Sequence, residues 1–266
     1  MENLESDAQI LDKWFNDNFL KMNADKCHLL VPKRTAKASL VIKGEIIKSE
    51  KSVRLLGIDI DDKLDLNTHV SNLCKKASQK LHALTRIAPY LKIDKLRILM
   101  KAFIESQFNY CPLVWMFHNR TTNNRINRIH ERALRIAYKD DKSSFEQLLI
   151  KDNTFTIHER NIQRLATEIY KTKNNLSPSF MNNIFTESQN PHQLRNDATF
   201  ETNNIKSVYN GSETISFRGP QIWSLVPENI KSVATLEEFR RKIKEWKPEG
   251  CICRLCKTYI KDLGFI

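Results

Sequence analysis

Val53-Arg-Leu-Leu-Gly-Ile-Asp-Ile-Asp-Asp-Lys-Leu-Asp-Leu-Asn-Thr-His-Val70 is the stretch that decides how this chain is read. Its first half has the period of a strand. Val53, Leu55, Gly57 and Asp59 fall on one face, and Leu56, Ile58 and Ile60 on the other. Gly57 is the one position there without a side chain, which in a strand marks a close approach of backbone. Asp61, Asp62 and Lys63 make a turn, and Asn67 or Thr68 then caps a long helix. The chain therefore changes from extended to helical structure here.

Upstream, Leu4, Ala8, Leu11, Phe15 and Phe19 recur at spacings of four and three and predict a helix over 4–20, broadened by Trp14 and Leu20. Short strands follow at Cys27–Pro32 and Ser39–Ile42, and Lys43-Gly-Glu45 turns the chain into Ile46 and Ile47 as a hairpin. Downstream, Val70, Leu73, Cys74, Ala77, Leu81, Leu84 and Ile87 form one apolar stripe closed by Pro89. Further helices are expected over Ile93–Gln107, from a Thr121 or Thr122 cap to Tyr138, over Phe145–Ile150 and over Thr156–Lys173. Residues 186–218 are polar and without helical period, so they read as loop with short strands, Ile215-Ser-Phe217 being the best of these. A turn of helix begins at Gly219-Pro220, and a last helix runs from Thr235 to Trp246.

The 266 residues carry a formal charge of +12. Residues 1–66 have 11 Lys and Arg against 12 Asp and Glu, residues 67–175 have 20 against 9, and residues 176–266 have 12 against 10. Nearly all the positive charge is thus in the middle, the footprint of a polyanionic partner or of a solubilising helical surface. No apolar run approaches the roughly 20 residues of a membrane span. The acidic start Met1-Glu-Asn-Leu-Glu is no signal peptide, so a soluble intracellular protein is expected, in nucleus or cytoplasm, its six cysteines thiols or metal ligands rather than disulfides.

Leu55-Leu-Gly-Ile-Asp-Ile-Asp-Asp-Lys-Leu64 followed by His69 resembles the segment that closes the palm in jockey-like non-LTR retrotransposon reverse transcriptases. Trp14 with Asn18-Phe-Leu-Lys-Met-Asn-Ala-Asp-Lys26 is similar to a segment of the same family. Tyr110-Cys-Pro-Leu-Val-Trp115, Arg132-Ala-Leu-Arg135, Arg195-Asn196 and Gly219-Pro-Gln-Ile-Trp-Ser-Leu-Val-Pro227 recur in the family's order. The resemblance spans nearly the whole chain. It implies a palm remnant over residues 1–66, a basic thumb-like helical domain over 67–175, and a C-terminal region over 176–266. It also implies a primer-grip role for Leu55, Leu56, Gly57 and Ile58, and RNA-directed DNA synthesis for a full-length protein with Mg²⁺. Lys26 matches the lysine that would protonate leaving pyrophosphate.

Two-metal nucleotidyl transfer needs paired carboxylates. In the family the aromatic-x-Asp-Asp turn that supplies them precedes the Trp14–Lys26 segment, so the resemblance implies a fragment without them, and no catalytic residue is assigned. Tyr138-Lys-Asp-Asp141 spells the tetrad but follows an arginine-rich helix, and reads as a helix end. Asp59, Asp61 and Asp62 read as a solvated turn rather than a Mg²⁺ site.

The strongest feature of the residues themselves is Arg125, Arg128, Arg132 and Arg135, spaced three, four and three. They stack on one helical face, beside a stripe of Ile126, Ile129, Ala133 and Ile136. Guanidinium forks suit phosphate, and Lys75, Lys76, Lys80, Arg160 and Arg164 are candidates to extend the surface. Tyr110, Trp115 and Phe117 either stack on bases or pack in a core. In the tail, Cys251, Cys253 and Cys256 have spacing for Zn²⁺ but lack a fourth ligand nearby, so His28, His192 or Cys27 would have to supply it; free thiols are the alternative. His69, His82, His118, His130 and His158 read as surface or capping residues.

The expectation is therefore an α+β, mostly helical protein: a small sheet, a helical thumb-like bundle and a loop-rich C-terminal region. Its expected function is that of a truncated reverse transcriptase that binds RNA or an RNA–DNA duplex and does not polymerise alone. A non-enzymatic nucleic-acid-binding module, an interaction module that pairs with the missing polymerase half or another protein, and a relic without function remain the other classes.

Overall fold

The computed structural model describes residues 2–32, 38–42, 44–187, 200–201 and 211–256. It is an α+β protein, mostly helical, with small sheets. The chain divides into two compact units, Met1–His69 and Val70–Ile266.

In the first unit, α1 (Glu2–Asp17) precedes a three-stranded sheet in the order β1-β3-β2, from Leu29–Leu30, Glu45–Glu50 and Ser39–Ile42. β1 runs parallel to β3, and β2 pairs with it antiparallel, with Leu40 opposite Ile47. Leu29, Leu40 and Ile47 form its small core, against which Ala8 of α1 packs. The inward stripe expected on α1 is only partly buried: Leu4 and Leu11 are exposed, and so are Ile10 and Trp14. Phe19 lies beyond the helix at positive φ and is almost fully exposed.

The decisive stretch is not one strand. It is a hairpin of β4 (Ser52–Leu55) and β5 (Ile58–Asp61), in which Leu55 pairs with Ile58 across a two-residue turn. Leu56 and Gly57 both have positive φ, 48° and 83°. A two-residue hairpin of this kind demands that sign at both central positions, and Gly57 supplies it without steric cost. A glycine inside an alternating apolar run therefore marks the turn rather than a close backbone approach.

The second unit is helical. α2 (Asn67–Ile87) buries Val70, Leu73, Cys74, Ala77, Leu81 and Leu84 as expected, whereas Ile87, expected on the same stripe, is exposed at the helix end. α3 (Ile93–Phe103) ends before the expected Gln107, and the chain continues as a 3-10 turn, Glu105–Phe108. α4 (Pro112–Trp115) buries Trp115, whose indole N–H donates to the Tyr110 carbonyl at 3.1 Å, so Trp115 is a core residue rather than a stacking platform. α5 (Arg120–Tyr138) is capped by Asn119, not by Thr121 or Thr122, because the Asn119 carboxamide accepts the Thr122 N–H at 2.8 Å. α6 (Phe145–Asp152) and α7 (Ile157–Lys173) both start on capping boxes, Ser144 with Gln147 and Thr156 with Glu159.

α8 (Ile215–Leu225), α9 (Glu228–Lys231) and α10 (Leu236–Ile243) follow. Ile215-Ser-Phe217 is therefore helix, not strand: the Thr214 hydroxyl caps it by accepting the Phe217 N–H. One core joins these helices to α7. Tyr170 stacks on Phe239 with ring centroids 4.2 Å apart, and Trp223 stacks with Phe239 at 6.1 Å. Phe185 and Phe200 close it edge-on. Gly219 lies so close to Phe185 that a Cβ would run into the ring.

Candidate metal centre and basic helical face

The capping box of α7 fixes its first turn: the Thr156 hydroxyl accepts the Glu159 N–H, and the Glu159 carboxylate accepts the Thr156 N–H at 2.9 Å. The second residue of that turn is His158, and its Nε2 lies 3.2 Å from Cys253 Sγ. Cys251 and Cys256 complete the group. One donor atom from each of the four residues lies within 4.8 Å of every other, and His158, Cys251 and Cys253 are buried. Hydrogen bonds from the Cys253 and Cys256 thiols hold Cys251 down at about 3, against the opposing effect of burial. Hydrogen bonds with Cys251 and Cys253, together with burial, push the Cys256 thiol far up.

Neighbouring groups hold the cysteine loop in place. The Gln163 amide of α7 donates to the Trp246 carbonyl at 2.8 Å, pinning the chain between α10 and Cys251. Glu213 accepts from Arg218 of α8 at 2.7 Å and from the Arg254 backbone N–H at 3.4 Å. His118 lies close by, and burial holds it down at about 4, offset in part by the Trp115 carbonyl.

These positions correct two expectations. His69, His118, His130 and His158 are buried, not surface or capping residues; of the five named, His82 alone is exposed. The residue that the structure brings to the three cysteines, as one group that could hold a metal ion, is His158. Cys27 and His28 are occupied elsewhere, the Cys27 thiol on the Asn23 carbonyl and His28 on Glu50 at 2.7 Å. His192 and Arg195-Asn196 lie outside the described residues. A signal for His158 is present in the sequence: His158, Ile162, Leu165 and Ile169 are spaced four, three and four, on the buried stripe of α7.

The arginine row divides. Arg125, Arg128 and Arg132 are exposed, while Ile126, Ile129, Ala133, Leu134 and Ala137 on the opposite side of α5 are buried. Arg135 is half-buried and pairs with Glu131 at 2.7 Å. Lys75 and Lys76 on α2 are exposed and Lys80 is half-buried. Arg125 comes close enough to α2 to act on Cys74, whose thiol burial pushes up and the guanidinium pulls partly back. Arg160 is turned inward to Glu105 at 2.6 Å, and Arg164 donates to Asn109 at 2.6 Å and to Asn161 at 3.2 Å.

The acidic clusters are local. Asp140 follows the end of α5 and accepts the Ser143 N–H at 3.0 Å and the Lys151 ammonium at 3.0 Å, which hold its carboxyl below the usual range. No strand flanks it. Asp61 accepts the Lys63 N–H at 3.0 Å and the Asp65 N–H at 3.3 Å, as a turn residue does. Lys26 is exposed at the end of a single 3-10 turn. Leu55 and Leu56 project to solvent at the hairpin turn, and Ile58 is buried.

No protein-family model matches the sequence, and no curated protein and no solved structure is found to be similar to it. Among the described residues, no helix is long and apolar enough to cross a membrane.

Proposed function

We propose that this chain is part of a non-LTR retrotransposon reverse transcriptase and that its own role is to hold RNA or an RNA–DNA template–primer through the basic face of the helical unit. The observation that carries the reading is the solvent-facing row of Arg125, Arg128 and Arg132 on a helix whose opposite face is buried. No carboxylate pairs with these three among the described residues. Three guanidinium groups at helical spacing repel one another unless an anion lies along them, and phosphate fits their fork geometry. The order of motifs from Trp14 to Pro227 supports the family part of this reading. A structural Zn²⁺ at Cys251, Cys253 and Cys256 belongs to the same reading.

The test is binding of a labelled RNA–DNA hybrid across a salt series, by wild type and by the triple change Arg125→Gln, Arg128→Gln, Arg132→Gln. The expected result is affinity that falls with salt, and a slope of log K on log salt shallower by about 3 in the variant, since each phosphate contact contributes roughly 0.9. Equal, salt-insensitive binding by both proteins would sink the reading. A protein-interaction role is favoured by a separate observation, the exposed Ile10, Leu11 and Trp14 on α1. Concentration-dependent association without nucleic acid, lost on Trp14→Glu, would support it.

A further inference from the structure

We infer that His158, Cys251, Cys253 and Cys256 form one closed, tetrahedral site for a thiophilic divalent cation, zinc by its chemistry, and that the ion fastens the 251–256 loop to the first turn of α7. This rests on the zinc reading above and supplies what that reading lacks, a fourth ligand and a structural role.

The geometry is that of a site one small contraction from closure. Zinc takes thiolates at about 2.3 Å and imidazole at about 2.0–2.1 Å, so the sulfurs of a tetrahedral site stand about 3.8 Å apart. Here all four donor atoms lie within 4.8 Å of one another, and Nε2 is already 3.2 Å from one sulfur. The donors are soft, which favours zinc over magnesium or calcium. Each thiol that ligates gives its proton to solvent.

Ordinary core packing explains the arrangement less well. A buried histidine commonly donates to a carbonyl or carboxylate, whereas His158 Nε2 meets a thiol, and its Nδ1 has no hydrogen-bond partner among the described residues. Three cysteines converging from one short loop on that ring make a donor set rather than an apolar patch. With three sulfurs and one nitrogen, every position of a tetrahedron is filled by protein. Catalytic zinc keeps one position open for water or substrate, so this ion would be structural. The loop it holds is short and has little regular structure of its own, and its Cys251, Leu255 and Cys256 line a cleft of about 570 Å³ together with Phe145 and Leu149 of α6.

The experiment uses the full chain, purified without chelator and dialysed, with metal content measured by plasma mass spectrometry and cobalt-exchanged samples examined by absorption. Wild type is expected to retain about one zinc per chain and, with cobalt, to show a tetrahedral spectrum with thiolate charge-transfer bands. His158→Ala is expected to weaken metal affinity by roughly 100-fold or more, because losing even an outer partner of a ligand costs 10–100-fold. His158→Cys keeps four ligands, restores retention and moves the cobalt spectrum toward that of four thiolates. If His158→Ala does not fold, the His158→Cys spectrum decides the matter alone. Wild type holding zinc while both variants keep its affinity and spectrum would overturn the role of His158 and leave the three-cysteine reading standing. Wild type without zinc, or with a disulfide among the three cysteines by mass spectrometry, would overturn both.

Discussion

Arg160 Nη1 lies 2.6 Å from Oε2 of Glu105, a carboxylate that is 4% exposed inside the helical unit. A side chain placed by sequence on a nucleic-acid surface instead neutralises an internal charge. Removing one member of a buried pair leaves the other uncompensated, at a cost of about 3–5 kcal/mol. Arg160→Ala is therefore expected to lower stability by that order in urea denaturation, and Glu105→Gln made on top of it to restore part of the loss. A stability change under about 1 kcal/mol would show the pair to be solvated after all.

The same carboxylate makes the helical unit acid-sensitive. Burial pushes Glu105 up, but His130, at 3.4 Å, and Arg160 together outweigh it and leave it at about 2. Its folded value lies below its unfolded one, so its stabilisation is present above pH 4.5 and lost as pH falls toward 2. His130 is held down chiefly by burial. A histidine kept neutral in the fold is protonated first in the unfolded chain, so stability also falls as pH drops below 6.5. The melting temperature should decline in two stages on acidification; His130→Gln should shrink the upper one, and His118→Gln, at the other histidine held down by burial, should shrink it further. A flat profile from pH 7 to 5 would contradict this.

Gly219 has no room for a side chain because the ring of Phe185 covers it. Gly219→Ala is expected to destabilise by about 1–3 kcal/mol, the usual cost of overpacking a core. Phe185→Leu in the same chain should recover part of that, since it removes the edge of the ring. Additive losses in the double variant, read by thermal denaturation, would place the strain elsewhere.

Leu56 is a branched residue at φ 48° with its side chain 82% exposed. Left-handed backbone costs such a residue roughly 1–2 kcal/mol relative to glycine, and asparagine tolerates it better. Leu56→Asn is expected to stabilise the Met1–His69 unit by about 0.5–1 kcal/mol. Loss of stability instead would mean that Leu56 packs in solution against something that the turn conformation alone does not reveal.

The sequence was most legible where one period governed a whole element. The stripes of α2 and α7 fall on the buried faces because every third or fourth residue is apolar and no competing signal interrupts them. Reading failed where a short-range signal outranked periodicity. Leu56-Gly57 sits inside an alternating run, and positive φ turned that run back on itself. Thr214 caps a helix whose first residues, Ile215 and Phe217, look like strand. Asn119 takes the cap because its carboxamide reaches the Thr122 N–H. The metal-centre candidate was half legible. Cys251, Cys253 and Cys256 are close in sequence and announce a ligand set, whereas His158 is brought to them only by the packing of α7. The basic face was legible as spacing, but spacing does not tell which arginines find carboxylates, as Arg135 and Arg160 do.

His158 Nε2 and Cys253 Sγ meet from positions 95 residues apart. A ribosome adding about 5–20 residues per second delivers the cysteines about 5–20 s after the histidine. Throughout that interval α7 already has its own capping box, but its first turn lacks the thiols, and for most of it Gln163, in the second turn, lacks the Lys244 and Trp246 carbonyls that it engages. The N-terminal end of α7 is thus closed only after Cys251, Cys253 and Cys256 have been made. A nascent chain stalled before Cys251 would present an unfinished helix end, the kind of surface that chaperones and proteases inspect.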